Sequence, residues 1–142
     1  MARTTEIARR LEETLDRPPS RPLAILGRSG AGKTHLLRSV VEKGARDVAW
    51  GNARDLVLQM TEAIRDDHYP RYRASFSGDE RPLCIEHLED LRGKAATRAE
   101  VQRLLVERTA RRRSTVLTMT RARGDAEVVE WLASWADLLV LD

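Results

Sequence analysis

The stretch Gly27–Thr34, "GRSGAGKT", decides how the rest of this chain is read. It has the form G-x-x-x-x-G-K-[ST], in which a glycine-rich turn lets backbone N–H groups converge on one cluster of phosphate oxygens. The pattern carries meaning only between a strand and a helix, and both flanks agree. Leu23-Ala24-Ile25-Leu26 is a short apolar run that reads as a buried strand. Lys33–Lys43 reads as a helix, with Leu36, Leu37, Val40 and Val41 on its inner side and Gly44 as its stop. The N-terminus of that helix adds unpaired donors and the positive end of its dipole. In this arrangement Lys33 would reach the β- and γ-phosphates and Thr34 would offer its hydroxyl to Mg²⁺. Arg28 and Ser29 lie on the crown of the loop as extra donors.

Working outward, the same alternation repeats. Thr4–Asp16 reads as a leading helix with Ile7, Leu11 and Leu15 on one face and Thr4 as its cap. The prolines of "RPPSRP" end it. Asp47–Trp50 reads as a second strand, and Ala53–Asp66 as a helix with Leu56, Val57, Met60 and Ile64 facing the core. The polar stretch "DDHYPRYRASFSGDERP" suggests no more than a short helical turn. Leu83-Cys84-Ile85 makes a third strand. Thr97 and Glu100 have capping-box spacing at the start of a helix that runs to about Arg112. Val116-Leu117-Thr118 is a fourth strand, Asp125 is placed to cap a helix reaching Trp135, and Leu138–Leu141 is a fifth strand. Short apolar strands separated by amphipathic helices imply a parallel sheet covered on both faces. The expected fold is an α/β three-layer sandwich of the P-loop NTPase type with a five-stranded parallel sheet. One domain is expected over 1–142, with 1–20 as leading helix and linker and 21–142 as the P-loop core.

Composition narrows the classes. The chain has 142 residues, 33% of them charged, with no apolar run long enough to span a bilayer. "MARTTEIARRLEETLDR" mixes Arg and Glu without an apolar segment, unlike a signal peptide. A cytoplasmic protein with no membrane association is expected. Its one cysteine, Cys84, cannot form an internal disulfide and reads as a buried core thiol. A net charge of +3 permits an anionic partner without requiring one. Aromatics are 4% of the chain, which gives no platform for stacking bases.

At "GKTHLL" the loop resembles the DnaA replication initiators. A second stretch, Leu91–Glu100, "LRGKAATRAE", resembles the L-x-G-K-x-x-T-x-x-E that follows the Walker B strand of that family. The helix over 55–66 and the following "HYPRYRASF" resemble its segment between the second and third strands, and the resemblance extends over about 3–142. It implies an AAA+ nucleotide-binding core with ATP and Mg²⁺ as ligands. The implied nucleotide-binding residues are Gly27, Arg28, Ser29, Gly30, Ala31, Gly32, Lys33, Thr34 and His35. A segment that contacts single-stranded DNA in the family holds Arg65, Arg71 and Arg73 here, interrupted by Asp66 and Asp67.

Departures from the family pattern fall on the hydrolytic residues. Its Walker B strand ends in two acids, the first for the Mg²⁺ shell and the second to polarise the attacking water. Glu86 and His87 stand at those positions. Glu86 retains a carboxylate for Mg²⁺, whereas a neutral imidazole at His87 brings no negative charge. Glu89 and Asp90 lie past the strand end and are not expected to substitute. Thr120 matches the sensor position after the fourth strand. Where the family has the arginine finger, "L-R-S-R-F", this chain has Leu132-Ala133-Ser134-Trp135-Ala136. The sequence reaches the fifth strand without the family's helical lid or DNA-reading domain, so weaker nucleotide affinity is expected.

The remaining features have plain explanations. Arg111-Arg112-Arg113 suits a helix C-terminus, Trp131 and Trp135 share a helical face, and His35 and His68 lack a second metal ligand. The expected function is a nucleotide-responsive accessory or regulator of DNA replication with weak or no ATP hydrolysis, working through a protein partner. No oligomer is assumed. Two other readings stay open: a pseudo-ATPase scaffold that ignores nucleotide, and a small P-loop kinase with Arg121 and Arg123 in a lid.

Overall fold

The computed structural model describes residues 4–141. Five strands form one parallel sheet: β1 (Leu23–Gly27), β2 (Ala49–Asn52), β3 (Leu83–Glu86), β4 (Thr115–Thr120) and β5 (Asp137–Leu141). Their spatial order is β2-β3-β4-β1-β5, which puts β4 between β1 and β3. Helices α1 (Thr4–Asp16), α2 (Lys33–Lys43), α3 (Ala53–Arg65), α4 (Tyr69–Gly78), α5 (Ala95–Ala110) and α6 (Ala126–Ala133) connect and cover them, with a 3₁₀ turn over Leu88–Leu91.

Strand alternation divides the core into two layers, because successive side chains point to opposite faces. Leu23, Ile25, Cys84, Val116 and Leu141 pack under α1 and α2, against Ile7, Leu11, Leu37 and Val40. Ala24, Leu26, Leu83, Ile85, Leu117 and Met119 face α3, α5 and α6, against Leu56, Met60, Leu104, Leu105 and Leu132. The result is the three-layer sandwich that the alternating pattern predicts. Strands β1 and β4 are central, and both are buried almost end to end.

Several local expectations shift. Strand β2 begins at Ala49 and runs to Asn52, two residues later than its hydropathy suggests, because its pairing with Leu83–Glu86 sets the register. Asn52 also caps α3, its side chain accepting a hydrogen bond from the Asp55 N–H at 2.9 Å. On α3, Ala63 is buried and Ile64 is 58% exposed, since the inner face follows Ala53, Leu56, Met60 and Ala63. The polar stretch holds a full helix, α4. Pro70 is tolerated in its first turn, and Tyr69, Tyr72 and Phe76 stack along one face with ring centroids about 6 Å apart. That i, i+3, i+7 spacing was the available signal.

Helix α5 starts at Ala95 with Lys94 as its cap, so Thr97 and Glu100 lie inside the helix and form no capping box. Glu100 instead accepts a hydrogen bond from the Tyr69 hydroxyl, tying α5 to α4. Asp125 stands at the N-cap of α6 but its carboxylate makes no cap bond. It turns back to the Ala122 N–H at 2.5 Å and pairs with Arg92 at 3.1 Å. Thr4, expected as a cap, is already helical.

Cys84 is fully buried, and burial pushes its thiol up to about 12. An aromatic disulfide reagent should therefore leave the native protein unmodified and titrate one thiol after denaturation; rapid reaction of the native protein would contradict the packing. Among the described residues, no helix is long and apolar enough to cross a membrane.

Candidate nucleotide site

The loop from β1 to α2 is built by glycines for two different reasons. Gly27 pairs with Leu141 in the sheet, and a Cβ there would stand 2.6 Å from the Leu141 carbonyl oxygen, so only glycine lets β1 and β5 approach. Gly30 (φ 82°) and Gly32 (φ 89°) have open space around them but occupy the left-handed region, where a side chain is strained. Gly32 is the N-cap of α2 and brings no side chain to satisfy the first-turn N–H groups. Those donors remain available to an anion. Arg28, Ser29, Thr34 and His35 are exposed around the loop and Ala31 is half-buried.

Lys33 runs back beneath the loop. It is 8% exposed, and its Nζ donates to the carbonyls of Gly27 and Arg28, both at 3.0 Å. Burial lowers its amine below the ordinary lysine range, and the charge of Glu89 partly opposes that shift. The ammonium is thus fixed before any ligand arrives, and its rotamer entropy has already been spent.

The acidic side of the site comes from the ends of β3 and β4. Glu86 closes β3, and its Oε1 is buried without a hydrogen-bond partner. A buried carboxylate oxygen lacking a donor fits a hard divalent cation, for which Glu86 could supply a ligand. His87 turns the chain in the left-handed region (φ 65°), leaving its ring half-exposed. The ring Nδ1 donates to Glu89 Oε2 at 2.9 Å, a bond that raises His87 above the usual imidazole range. Glu89 Oε1 accepts the backbone N–H of Thr120 at 2.9 Å. Thr120 pairs with Gly27 in the sheet, and the next residue, Arg121, donates its N–H to the Gly27 carbonyl at 2.9 Å.

Gly27, Lys33, Glu86, Glu89 and Thr120 therefore meet at the carboxyl ends of the strands, where ligands of open parallel sheets bind. A cleft of about 280 Å³ opens beside Glu86, lined also by Arg38, Trp50, Gly51, Asn52 and His87, with the Arg38 guanidinium 4.5 Å from the Trp50 ring centre. A larger cleft of about 600 Å³, lined by Pro18, Pro22, Val106 and Trp135, lies at the amino ends of the strands. It holds no acid, whereas the smaller one has Glu86; no residue of the phosphate loop lines either cleft.

The three arginines of the single-strand reading are not brought together. Arg65 is exposed, 3.7 Å from Asp66. Arg73 is paired with Glu107 of α5 and belongs to the α4–α5 contact. Arg71 is exposed and makes no ion pair among the described residues. The basic triplet disperses as well: Arg111 bonds Ser77 Oγ at 3.2 Å and Arg113 faces Glu80 at 3.9 Å. In the stretch matching the arginine finger, Leu132, Trp135 and Ala136 are buried, and Trp135 packs edge-on to Trp131 at 5.2 Å. Among the described residues no group of three His, Cys, Asp or Glu could hold a metal ion unaided. The sequence sets Glu89 aside as lying past the strand end, because nothing local shows that the 3₁₀ turn folds it back onto β4.

Comparison with known proteins agrees with the fold. The family model of the bacterial DnaA ATPase domain matches residues 2–130. No curated protein sequence matches. Among solved structures, domain III of the replication initiation protein DnaA from Thermotoga maritima superposes with a TM-score of 0.74 at 19% identity, covering 98% of this chain and 62% of that one. A replication initiator DnaA bound to AMPPCP and single-stranded DNA gives 0.73 at 21% identity, covering 96% of this chain and 44% of that one. The DnaC helicase loader gives 0.69 at 17% identity, covering 96% and 87%. This chain thus spans less than half the length of the DnaA bound to AMPPCP, and at these identities the likeness shows the fold alone. That fold is the one of DnaA domain III and of the DnaC helicase loader. By the match over residues 2–130, the chain belongs to the bacterial DnaA ATPase domain family.

Proposed function

We propose that this protein binds ATP with Mg²⁺ at the β1–α2 loop and uses it as a switch for a protein partner, as an accessory or regulator of DNA replication. The observation that carries this is the state of the loop. Its left-handed glycines, uncapped helix donors and inward-held Lys33 support the reading of a triphosphate site. In this reading backbone donors of 28–34 and Lys33 bind the phosphates, while Thr34 and Glu86 hold Mg²⁺, which supplies charge neutralisation across the β- and γ-oxygens. Residues 1–142 form one core, with 1–20 as leading helix and linker, working in the cytoplasm.

Slow hydrolysis belongs to the same reading. His87 stands where the family has its water-polarising acid, and a buried Trp135 lies in the stretch that would carry the finger. Loss of a transition-state arginine costs hydrolysis roughly 10³-fold or more. Those same two features favour a second reading, a scaffold in which the loop survives as a fold element and nucleotide does nothing. Contact with single-stranded DNA would rest on Arg71 and Arg65, since Arg73 is engaged with α5.

A melting experiment separates the two readings. A ligand present at about a hundred times its Kd stabilises the native state by about 2.7 kcal/mol. For a chain of this size that is a Tm rise of roughly 8 °C. Saturating ATP–Mg²⁺ should produce such a rise, and an unchanged Tm would favour the scaffold.

A further inference from the structure

The acid that the strand end lacks is present three residues beyond it. Glu89 sits on the 3₁₀ turn over Leu88–Leu91, and its side chain is 15% exposed. Both carboxylate oxygens are directed: Oε1 receives the Thr120 N–H and Oε2 the His87 ring, each at 2.9 Å. Thr120 pairs with Gly27 of β1, and because the next N–H, that of Arg121, points to Gly27, the Thr120 N–H points to the β3 side, so the carboxylate lies over the β3–β4 gap, one strand from the phosphate loop. Lys33 feels its charge, yet the ammonium bonds only Gly27 and Arg28, and no ion pair joins Lys33 to Glu89 among the described residues. Ammonium and carboxylate are each held by other partners, at the ends of the adjacent strands β1 and β4, so neither neutralises the other and both charges can act on a third group.

The turn itself is rigid. Leu88 and Leu91 are buried at 0% and 1% exposure. The Leu91 carbonyl accepts from the buried Arg98 guanidinium at 3.0 Å. Arg92 pairs with Asp125 at 3.1 Å, fixing the turn to the segment after β4. Glu89 is therefore placed by packing, as a preorganised catalytic group must be.

Resting on the nucleotide-binding reading, we propose that Glu89 faces the γ-phosphate of bound ATP and is the general base of whatever hydrolysis this protein performs, with His87 as its positioning residue. A water lying between Glu89 and the γ-phosphorus gives its proton to Glu89 as its oxygen bonds to phosphorus. The bond from phosphorus to the β,γ-bridging oxygen breaks, leaving ADP and inorganic phosphate, and the proton on Glu89 passes to solvent. His87 substitutes for the lost acid indirectly: it orients a carboxylate that arrives from the turn.

The placement makes a binding prediction independent of turnover. A negative carboxylate facing the γ-phosphate repels ATP more than ADP. Glu89→Gln keeps the shape and the Thr120 acceptor but removes the charge. It should tighten ATP–Mg²⁺ binding about fivefold while changing ADP–Mg²⁺ binding less than about twofold. It should also lower kcat by roughly 10²-fold or more. Glu89→Asp keeps the charge on a shorter arm and should preserve the ATP-to-ADP affinity ratio while losing turnover; it carries the test if the glutamine variant fails to fold. Equal effects of Glu89→Gln on ATP and ADP, a changed ATP-to-ADP ratio in Glu89→Asp, or unchanged turnover in either variant would overturn the assignment. A wild type that binds ATP without any turnover would also overturn it and leave the binding reading intact. A wild type that binds neither nucleotide removes both.

Discussion

Replacing Arg108 by methionine should lower the stability of this protein by about 3–4 kcal/mol, more than any substitution in the nucleotide site. Arg108 is 1% exposed in the middle of the α5–β4 region. Its guanidinium donates to the carbonyls of Phe76 at 2.9 Å, Asp79 at 3.1 Å, Arg81 at 2.8 Å and Ser114 at 3.3 Å, and to the Thr115 hydroxyl at 3.3 Å. It also lies 5.6 Å from the centre of the Phe76 ring. Burial pulls the group down to about 10, which still leaves it charged at neutral pH.

Among the described residues, no carboxylate forms an ion pair with this buried cation. Main-chain oxygens from the end of α4 and the segment leading into β3 solvate it instead. Methionine fills a similar volume but removes every one of those donors, and each buried acceptor left without its partner costs about 1–3 kcal/mol before relaxation. Lysine keeps the charge on a single nitrogen and cannot span five acceptors, so Arg108→Lys should recover only part of the loss. Urea unfolding of the three proteins checks this. A methionine variant within about 0.5 kcal/mol of wild type would contradict the clamp. The consequence reaches the site, because the clamped segment sets where β3 begins and hence where Glu86 ends it.

Lys33→Met should have the opposite profile, with a large effect on ligand response and little on folding. Charge-assisted bonds to phosphate contribute about 1.5–3 kcal/mol each. Losing the lysine should therefore weaken ATP–Mg²⁺ binding about a hundredfold. The ligand-free Tm should move by only a few degrees. The variant loses two hydrogen bonds to loop carbonyls, but burial already penalises the ammonium and removing that charge offsets the loss. A variant that unfolds, or one that binds ATP as tightly as wild type, would show that Lys33 serves the loop and not a ligand.

The contrast between these residues explains what the sequence could and could not disclose. "GRSGAGKT" between an apolar run and an amphipathic helix fixes the fold because its chemistry is local. Five strands and most helices follow from periodicity for the same reason. Helix α4 was hidden by its charged residues, although Tyr69, Tyr72 and Phe76 carry helical spacing. Arg108 and Glu89 were not legible. Arg108 looks like one more basic residue on a basic helix until chain segments some thirty residues away fold around it. Glu89 looks like a residue past the site until a left-handed His87 and a 3₁₀ turn carry it back to β4. Thr97 and Glu100 show the reverse error: a correct local motif overruled by tertiary contact, with Glu100 taken by Tyr69.

The most direct test of the central claim is isothermal titration of ATP–Mg²⁺ into folded wild-type protein, with Lys33→Met in parallel. The account predicts a saturable one-site heat for wild type and none for the variant at matched concentrations. Absence of any heat for wild type with ATP or GTP up to about millimolar concentration, where a binding free energy of about −4.1 kcal/mol would still register, would mean that the loop grips no nucleotide.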